Sequence, residues 1–181
     1  VKNEEDVLAR CLASASRFAD EIVVVDTGSE DGTKEIARQF TQKVYDFAWQ
    51  DDFAKARNFA FEKGTCDYLM WLDADDVVTL ENIERINELK RTMDQTVDLV
   101  MMQYRVAFDQ AGNPTFAYER ERMVKRGAGF AWQGAVHEAI VPAGHILHTD
   151  IAIEHRKQKP GDPDRNLRIY QAMIDRGEAL E

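Results

Sequence analysis

No apolar run in this sequence reaches the roughly 18–20 residues that a bilayer crossing needs, so no transmembrane segment is expected in the chain. A basic excess is missing too: 23 Lys and Arg face 33 Asp and Glu, a formal net charge of -10. Nucleic-acid binders need cationic surface to neutralise phosphates, so that class of partner is not expected. An acidic protein can still hold one phosphorylated ligand through a metal ion, a few basic side chains and backbone N–H groups. Cysteine is scarce. Cys11 and Cys66 fit no metal-knuckle spacing and sit among apolar neighbours, so both read as small buried hydrophobes without a disulfide. No internal repeat, low-complexity stretch or signal peptide is visible. The start at Val1-Lys2-Asn3 looks clipped, and a first strand is expected to precede it. A cytoplasmic location, at most peripheral to a membrane, is the expectation.

What remains is an ordinary globular composition, 44% hydrophobic and 31% charged over 181 residues, enough for one domain and one core. Val7, Leu8, Cys11, Leu12 and Ala15 have the spacing of one helical face, predicting a helix over 5–15 with Asn3 as its N-cap. Glu21 to Val25 reads as a buried strand, Thr33 to Phe40 as helix, and Lys43 to Phe47 as strand. Asp52 to Lys63 reads as helix, Tyr68 to Leu72 as a second buried strand, Thr79 to Thr92 as a capped helix, and Leu99 to Phe108 as strand. That alternation predicts an α/β fold with a mainly parallel sheet. Beyond residue 108 the texture changes. Asp109 to Pro114 is a hairpin-like turn, and 115–126, 130–141 and 150–156 read as strands. Pro160-Gly161-Asp162-Pro163 is a break, with Asp162 as N-cap of a last amphipathic helix over 164–176. Ala179-Leu180-Glu181 reads as native helix or as appended residues. The expected division is a catalytic domain over 1–160 and a terminal helix over 161–181 that could begin a helical extension.

Leu72-Asp73-Ala74-Asp75-Asp76 directly follows a predicted buried strand. Open α/β sheets bind ligands outside the carboxyl ends of their strands. Three carboxylates there repel one another, and hard oxygen ligands suit Mg²⁺ or Mn²⁺. The competing reading is a solvated acidic turn that caps the next helix. Asp26-Thr27-Gly28-Ser29-Glu30-Asp31-Gly32-Thr33 also joins a strand to a helix. Its acidic residue could accept hydrogen bonds from a base or ribose, and its glycines would let backbone approach a ligand. A plain turn with Asp31 or Ser29 as cap is the favoured reading of this segment taken alone. Arg57, in Ala56-Arg57-Asn58, could fork onto a phosphate, though a lone helical arginine is more often a solvated charge.

Together, Lys2-Asn3-Glu4-Glu5, the Asp26–Thr33 segment, Ala56-Arg57-Asn58 and Trp71-Leu72-Asp73-Ala74-Asp75-Asp76 resemble family 2 glycosyltransferases in order and spacing. Trp132-Gln133-Gly134-Ala135-Val136-His137-Glu138 and Ile153-Glu154-His155 resemble a bacterial subgroup often followed by tetratricopeptide repeats. The resemblance implies a GT-A fold, a three-layer α/β/α domain. It also implies a nucleotide-diphospho-sugar donor, UDP-linked by default, and a divalent metal, Mn²⁺ or Mg²⁺. Asn3, Glu4, Asp26 and Gly28 would lie by the nucleoside, Arg57 by the diphosphate, and Asp73 by the ribose and metal. Asp75 would be the likelier direct metal ligand and His155 a third, with His137 as an alternative. His145 and His148 look like surface residues. Glu138 is the preferred base for inverting transfer, with Asp76 in reserve. The acceptor, a glycan, lipid carrier or peptide, is not specified. A sugar nucleotidyltransferase and a non-catalytic nucleotide-sugar-binding module are the competing readings.

Overall fold

A computed structural model describes residues 1–158 and 162–178. Its elements in chain order are α1 (Leu8–Ala15), β1 (Val24–Asp26), α2 (Thr33–Phe40), β2 (Val44–Asp46), α3 (Phe53–Lys63), β3 (Tyr68–Met70), β4 (Asp76–Val77), α4 (Leu80–Thr92), β5 (Leu99–Phe108), β6 (Pro114–Lys125), β7 (Trp132–Gln133), β8 (Ala139–Ile140), β9 (Ile146–His155) and α5 (Arg165–Asp175).

The α/β architecture is as expected, but its sheet is mixed. β1 and β2 pair in parallel as a small unit. The larger sheet runs β3-β6-β5-β9-β4, and within it only β5 and β9 are parallel. The reason is the hairpin turn at 109–113, which returns β6 antiparallel beside β5 and then against β3. The expectation of a mainly parallel sheet therefore holds for β1–β2 and β5–β9 alone. β3 lies at the edge of the five-stranded order, and Asp73 stands beyond its carboxyl end.

Side-chain alternation along β5 divides the core between the two faces of this sheet. Val100 and Met102 pack with Ile83 and Ile86 of α4 and with Ala15 of α1. Leu99 faces the other way, with Ala54 of α3, Trp71, Val124, Trp132 and Ile140. Helices thus cover both faces, which gives three layers. α5 returns to the domain, burying Ile169 and Met173 beside Val136, Trp49 and Phe53.

Several boundaries differ from expectation. α1 starts at Leu8 with Val7 as N-cap, and Asn3 instead adopts φ +55 outside the helix. Segment 130–141 is two short strands around a loop, because Gly134 (φ +91) and His137 (φ +56) break the extended backbone. α5 begins after Asp164; Asp162 accepts the Asp164 N–H instead of capping the helix. Pro160 and Gly161 of the expected break, and Ala179-Leu180-Glu181, lie outside the described residues. Cys11 is buried, but Cys66 is only half-buried. Among the described residues no helix is long and apolar enough to cross a membrane.

Candidate active site

A cleft of about 1270 Å³ separates the β1–β2 unit from β3, with Asn3, Glu4, Thr27, Arg57, Asp73, Asp75, Glu138 and His155 in its walls. Its amino-terminal side is built by stitching two motifs that are 26–29 residues apart. The Asn3 N–H donates to Ser29 Oγ at 2.9 Å, and the Asn3 side-chain oxygen accepts from Glu30 N at 2.9 Å. Glu4 N donates to Thr33 Oγ1 at 2.7 Å, and Glu5 Oε2 accepts from Gly32 N at 2.8 Å. Asp26 lies fully buried at the end of β1. Its Oδ1 accepts from Gly28 N and Ser29 N, both at 2.9 Å. Gly28 sits at φ +102, a left-handed conformation that glycine tolerates and that turns both N–H groups inward. Burial works against the Asp26 charge, but the Ser29 and Gly28 hydrogen bonds outweigh it and hold the carboxyl below its usual range. Asp26 Oδ2 is buried with no hydrogen-bond partner among the described residues, between Val25 and Thr27 of the cleft wall.

The opposite side is held by charged side chains brought from distant elements. Arg57, on α3, donates from Nη2 to Asp73 Oδ1 and from Nε to Glu138 Oε1, each at 2.6 Å. Its guanidinium lies 4.9 Å from the Trp71 ring and 4.6 Å from the Trp132 ring. Asn58 anchors the same helix by exchanging two hydrogen bonds with the Trp132 backbone, at 3.0 and 2.8 Å. Burial would lift the Asp73 carboxyl, but Arg57 and then Arg122 hold it down to about 2.

Asp73, Asp76 and His155 each offer an atom within 4.8 Å of the others, a cluster able to hold a metal ion. Asp75 is at its rim, with Oδ1 3.2 Å from His155 Nδ1. Carboxylate oxygens and one imidazole form a donor set that fits a hard divalent cation such as Mn²⁺. Hydrogen bonds to Asp75 and Asp76 push the His155 imidazole up to about 10. Of the expected ligands, Asp73 and His155 belong to this cluster, whereas Asp75 touches His155 from outside it and Asp76 stands in its place. His137 lines the cleft, and the described cluster does not include it. His145 and His148 are exposed.

Asp76, the reserve base, is fully buried. It accepts from Arg122 Nη1 at 3.1 Å, Tyr104 Oη at 2.9 Å and Asp73 N at 3.0 Å. Two residues here went unread in the sequence. Arg122 is fully buried, 3.6 Å from the Trp71 ring and 4.0 Å from the Tyr104 ring. Tyr104 Oη lies 2.8 Å from His155 Nδ1 as well as against Asp76. Tyr104 shares the inward phase of Val100 and Met102 along β5, which was a usable signal for its burial. No comparable pattern marked Arg122, which looked like one more charge in Tyr118-Glu119-Arg120-Glu121-Arg122.

The family model described as Glycosyl transferase family 2 matches residues 1–155. A TPR repeat-containing protein of Synechococcus elongatus is 35% identical over 140 residues, covering 77% of this chain and 34% of its own length. The lipopolysaccharide core biosynthesis glycosyltransferase LpsC of Rhizobium meliloti is 29% identical, covering 80% of this chain and 56% of its own length. The chain thus spans between a third and rather more than half of these two relatives. Among solved structures, glucosyl-3-phosphoglycerate synthase from Mycobacterium tuberculosis, in complex with Mn²⁺ and UDP-glucose, superposes with a TM-score of 0.61. It is 14% identical, and the match covers 99% of this chain and 77% of that one, so the likeness is one of GT-A fold.

Proposed function

This chain belongs to glycosyltransferase family 2, and from that membership we propose that it transfers a sugar from a UDP-sugar to an acceptor hydroxyl with inversion, assisted by Mn²⁺ or Mg²⁺. One observation carries the reading. A metal-competent cluster, a guanidinium and a further carboxylate converge on one cleft beyond the carboxyl end of β3.

Asp26 Oδ2, a buried acceptor without a hydrogen-bond partner among the described residues, would take a hydrogen bond from the base or ribose. Asn3, Glu4 and Gly28 would shape that end, since their loops are fastened together there. Arg57 would turn its fork toward the diphosphate, lying against both the Trp71 and Trp132 rings at the cleft wall. Asp73, Asp75 and His155, with Asp76 behind them, would hold the cation, whose charge when bound offsets that of the leaving diphosphate. Glu138 is the better base. Its carboxylate lies in the cleft wall beside Arg57, whereas Asp76 is fully buried and already accepts three hydrogen bonds. Glu138 would receive the acceptor proton as the acceptor oxygen bonds to the anomeric carbon and the diphosphate departs.

A module that binds nucleotide-sugars without turnover would also show Glu138 paired to Arg57, so the two readings need one experiment. UDP is titrated in EDTA and in Mn²⁺, and donor hydrolysis is followed without acceptor. A transferase should bind more tightly in Mn²⁺ and release sugar slowly. Equal affinity in both conditions refutes the metal role, and tight binding with no hydrolysis or transfer favours the binding module.

A further inference from the structure

β6 leads out of the acidic cluster, and the side chains along it change character step by step. Arg122 is buried on Asp76, and Arg120 follows two residues back, 5.1 Å from the Trp71 ring and bonded to Glu121. Next is Tyr118, whose ring lies 5.8 Å from that of Tyr104, and then Phe116, 5.8 Å from Tyr118. The ring row therefore starts at a tyrosine bonded to Asp76 and ends in solvent, with Tyr118 40% and Phe116 58% exposed. Single exposed hydrophobics need no explanation. These two are adjacent and share one cavity of about 500 Å³ with Arg57, Asp73, Glu138 and His155.

Resting on the transferase reading, we propose that Tyr118 and Phe116 form an acceptor subsite that stacks a pyranose ring, so that the acceptor is a carbohydrate. A pyranose has one face of C–H groups and a rim of hydroxyls. An aromatic plane covers the first, and polar groups at the margin bind the second. Here the margin is supplied by the Tyr118 hydroxyl, Arg120 and Glu138, all lining the same cavity. The two ring centroids, 5.8 Å apart, are spaced close to the length of one sugar unit. A ring stacked on Tyr118 would leave the next unit over Phe116 and its transferring hydroxyl toward Glu138. A lipid surface fits less well. The neighbouring turn, Asp109-Gln110-Ala111-Gly112-Asn113-Pro114, is polar and acidic, and Glu119 flanks the rings, so anionic headgroups would be repelled.

The test uses saturation-transfer NMR with a panel of pyranosides and di- and trisaccharides, in the presence of UDP and Mn²⁺. A serine/threonine-rich peptide and anionic phospholipid vesicles serve as rival probes. Saturation should reach ring C–H protons of at least one saccharide, and Tyr118→Ala or Phe116→Ala should weaken its affinity about tenfold. Tyr118→Trp should restore binding, and UDP affinity should be unchanged in every variant. Absence of saccharide binding in a wild-type protein that still hydrolyses donor overturns the subsite alone. Saccharide binding that both alanine variants keep, or saturation of the peptide or the vesicles instead of a saccharide, overturns it too. Saccharide binding without any donor turnover would sink the transferase reading and leave the subsite standing.

Discussion

The cleft has two acidic walls, and they are held in different ways. On the β1 side, Asp26 Oδ1 and Asp31 Oδ1 accept from backbone N–H groups two or three residues away. On the β3 side, Asp73, Asp76 and Glu138 are satisfied by Arg57, Arg122 and Tyr104, at separations of 16 to 81 residues. The first wall is built around a local turn, to which residues 3–5 are fastened. The second exists only once four elements have packed. Backbone donors fix an acceptor's position without adding a mobile charge, which suits recognition of a neutral base or ribose. Guanidinium partners can exchange one anion for another, which would suit a wall where the proposed donor's diphosphate arrives and leaves.

The largest expected effect separates the walls by kinetics. Glu138→Gln should leave UDP and metal affinity nearly unchanged, because the amide keeps the shape and still accepts from Arg57. Turnover should fall about 10²–10⁴-fold, the worth of a positioned general base. Asp26→Asn, on the other wall, should instead raise the donor KM with a much smaller change in kcat. Steady-state kinetics on both variants decides this. Normal turnover in Glu138→Gln, or a kcat collapse in Asp26→Asn, would erase the distinction.

Stability comes next. Arg122→Met removes the partner of a fully buried carboxylate and should cost about 3–5 kcal/mol. The double variant Arg122→Met/Asp76→Asn should recover part of that loss, since no buried charge is then left unpaired. Asp31→Ala on the β1 wall should cost only about 1 kcal/mol, the usual worth of a cap-like hydrogen bond. Urea unfolding measures all three. Equal losses for Arg122→Met and Asp31→Ala would show that long-range charge does not carry the β3 wall.

The same contrast explains what could be read from the sequence. Asp26, Gly28 and Asp31 were legible because their partners are neighbours in the chain, and Asp52 caps α3 through Lys55 N in the same local way. Asp73 and Asp75 were legible as carboxylates at a strand end and His155 through a family motif, while the meeting of Asp73 and Asp75 with His155 is tertiary. Arg122 and Tyr104 were missed because nothing within a few residues of either states that it will meet Asp76. The mixed sheet was missed for a related reason. Strand direction depends on which strands pair, and the periodicity of β6 is the same whether it runs with or against β5. The 130–141 segment looked like one strand because its apolar residues outnumber its turn residues, yet two positive-φ positions decide its path.

The smallest expected effect lies at the seam between the two walls. Glu21 precedes β1 and is bonded to Lys43, which precedes β2, and to both the N–H and hydroxyl of Thr65, at 2.7 Å, which precedes β3. One carboxylate thus ties the β1–β2 unit to the larger sheet. Lys43, then the Thr65 hydrogen bonds, hold the Glu21 carboxyl down to about 2 against an ordinary glutamate near 4.3. Because the folded value is the lower one, the folded state is favoured wherever Glu21 is ionised in both states. That contribution is complete above about pH 4.3 and fades as pH falls toward 2. The Lys43 ammonium is well exposed, so the gain is small, and Glu21→Gln should lower Tm by no more than about 3 °C at pH 7. The difference from wild type should shrink steadily between pH 4.3 and pH 2, as measured by thermal melts across that range. A difference that grows on acidification would mean that the amide, not the carboxylate, suits the seam, and that this ion pair does not help to join the two walls.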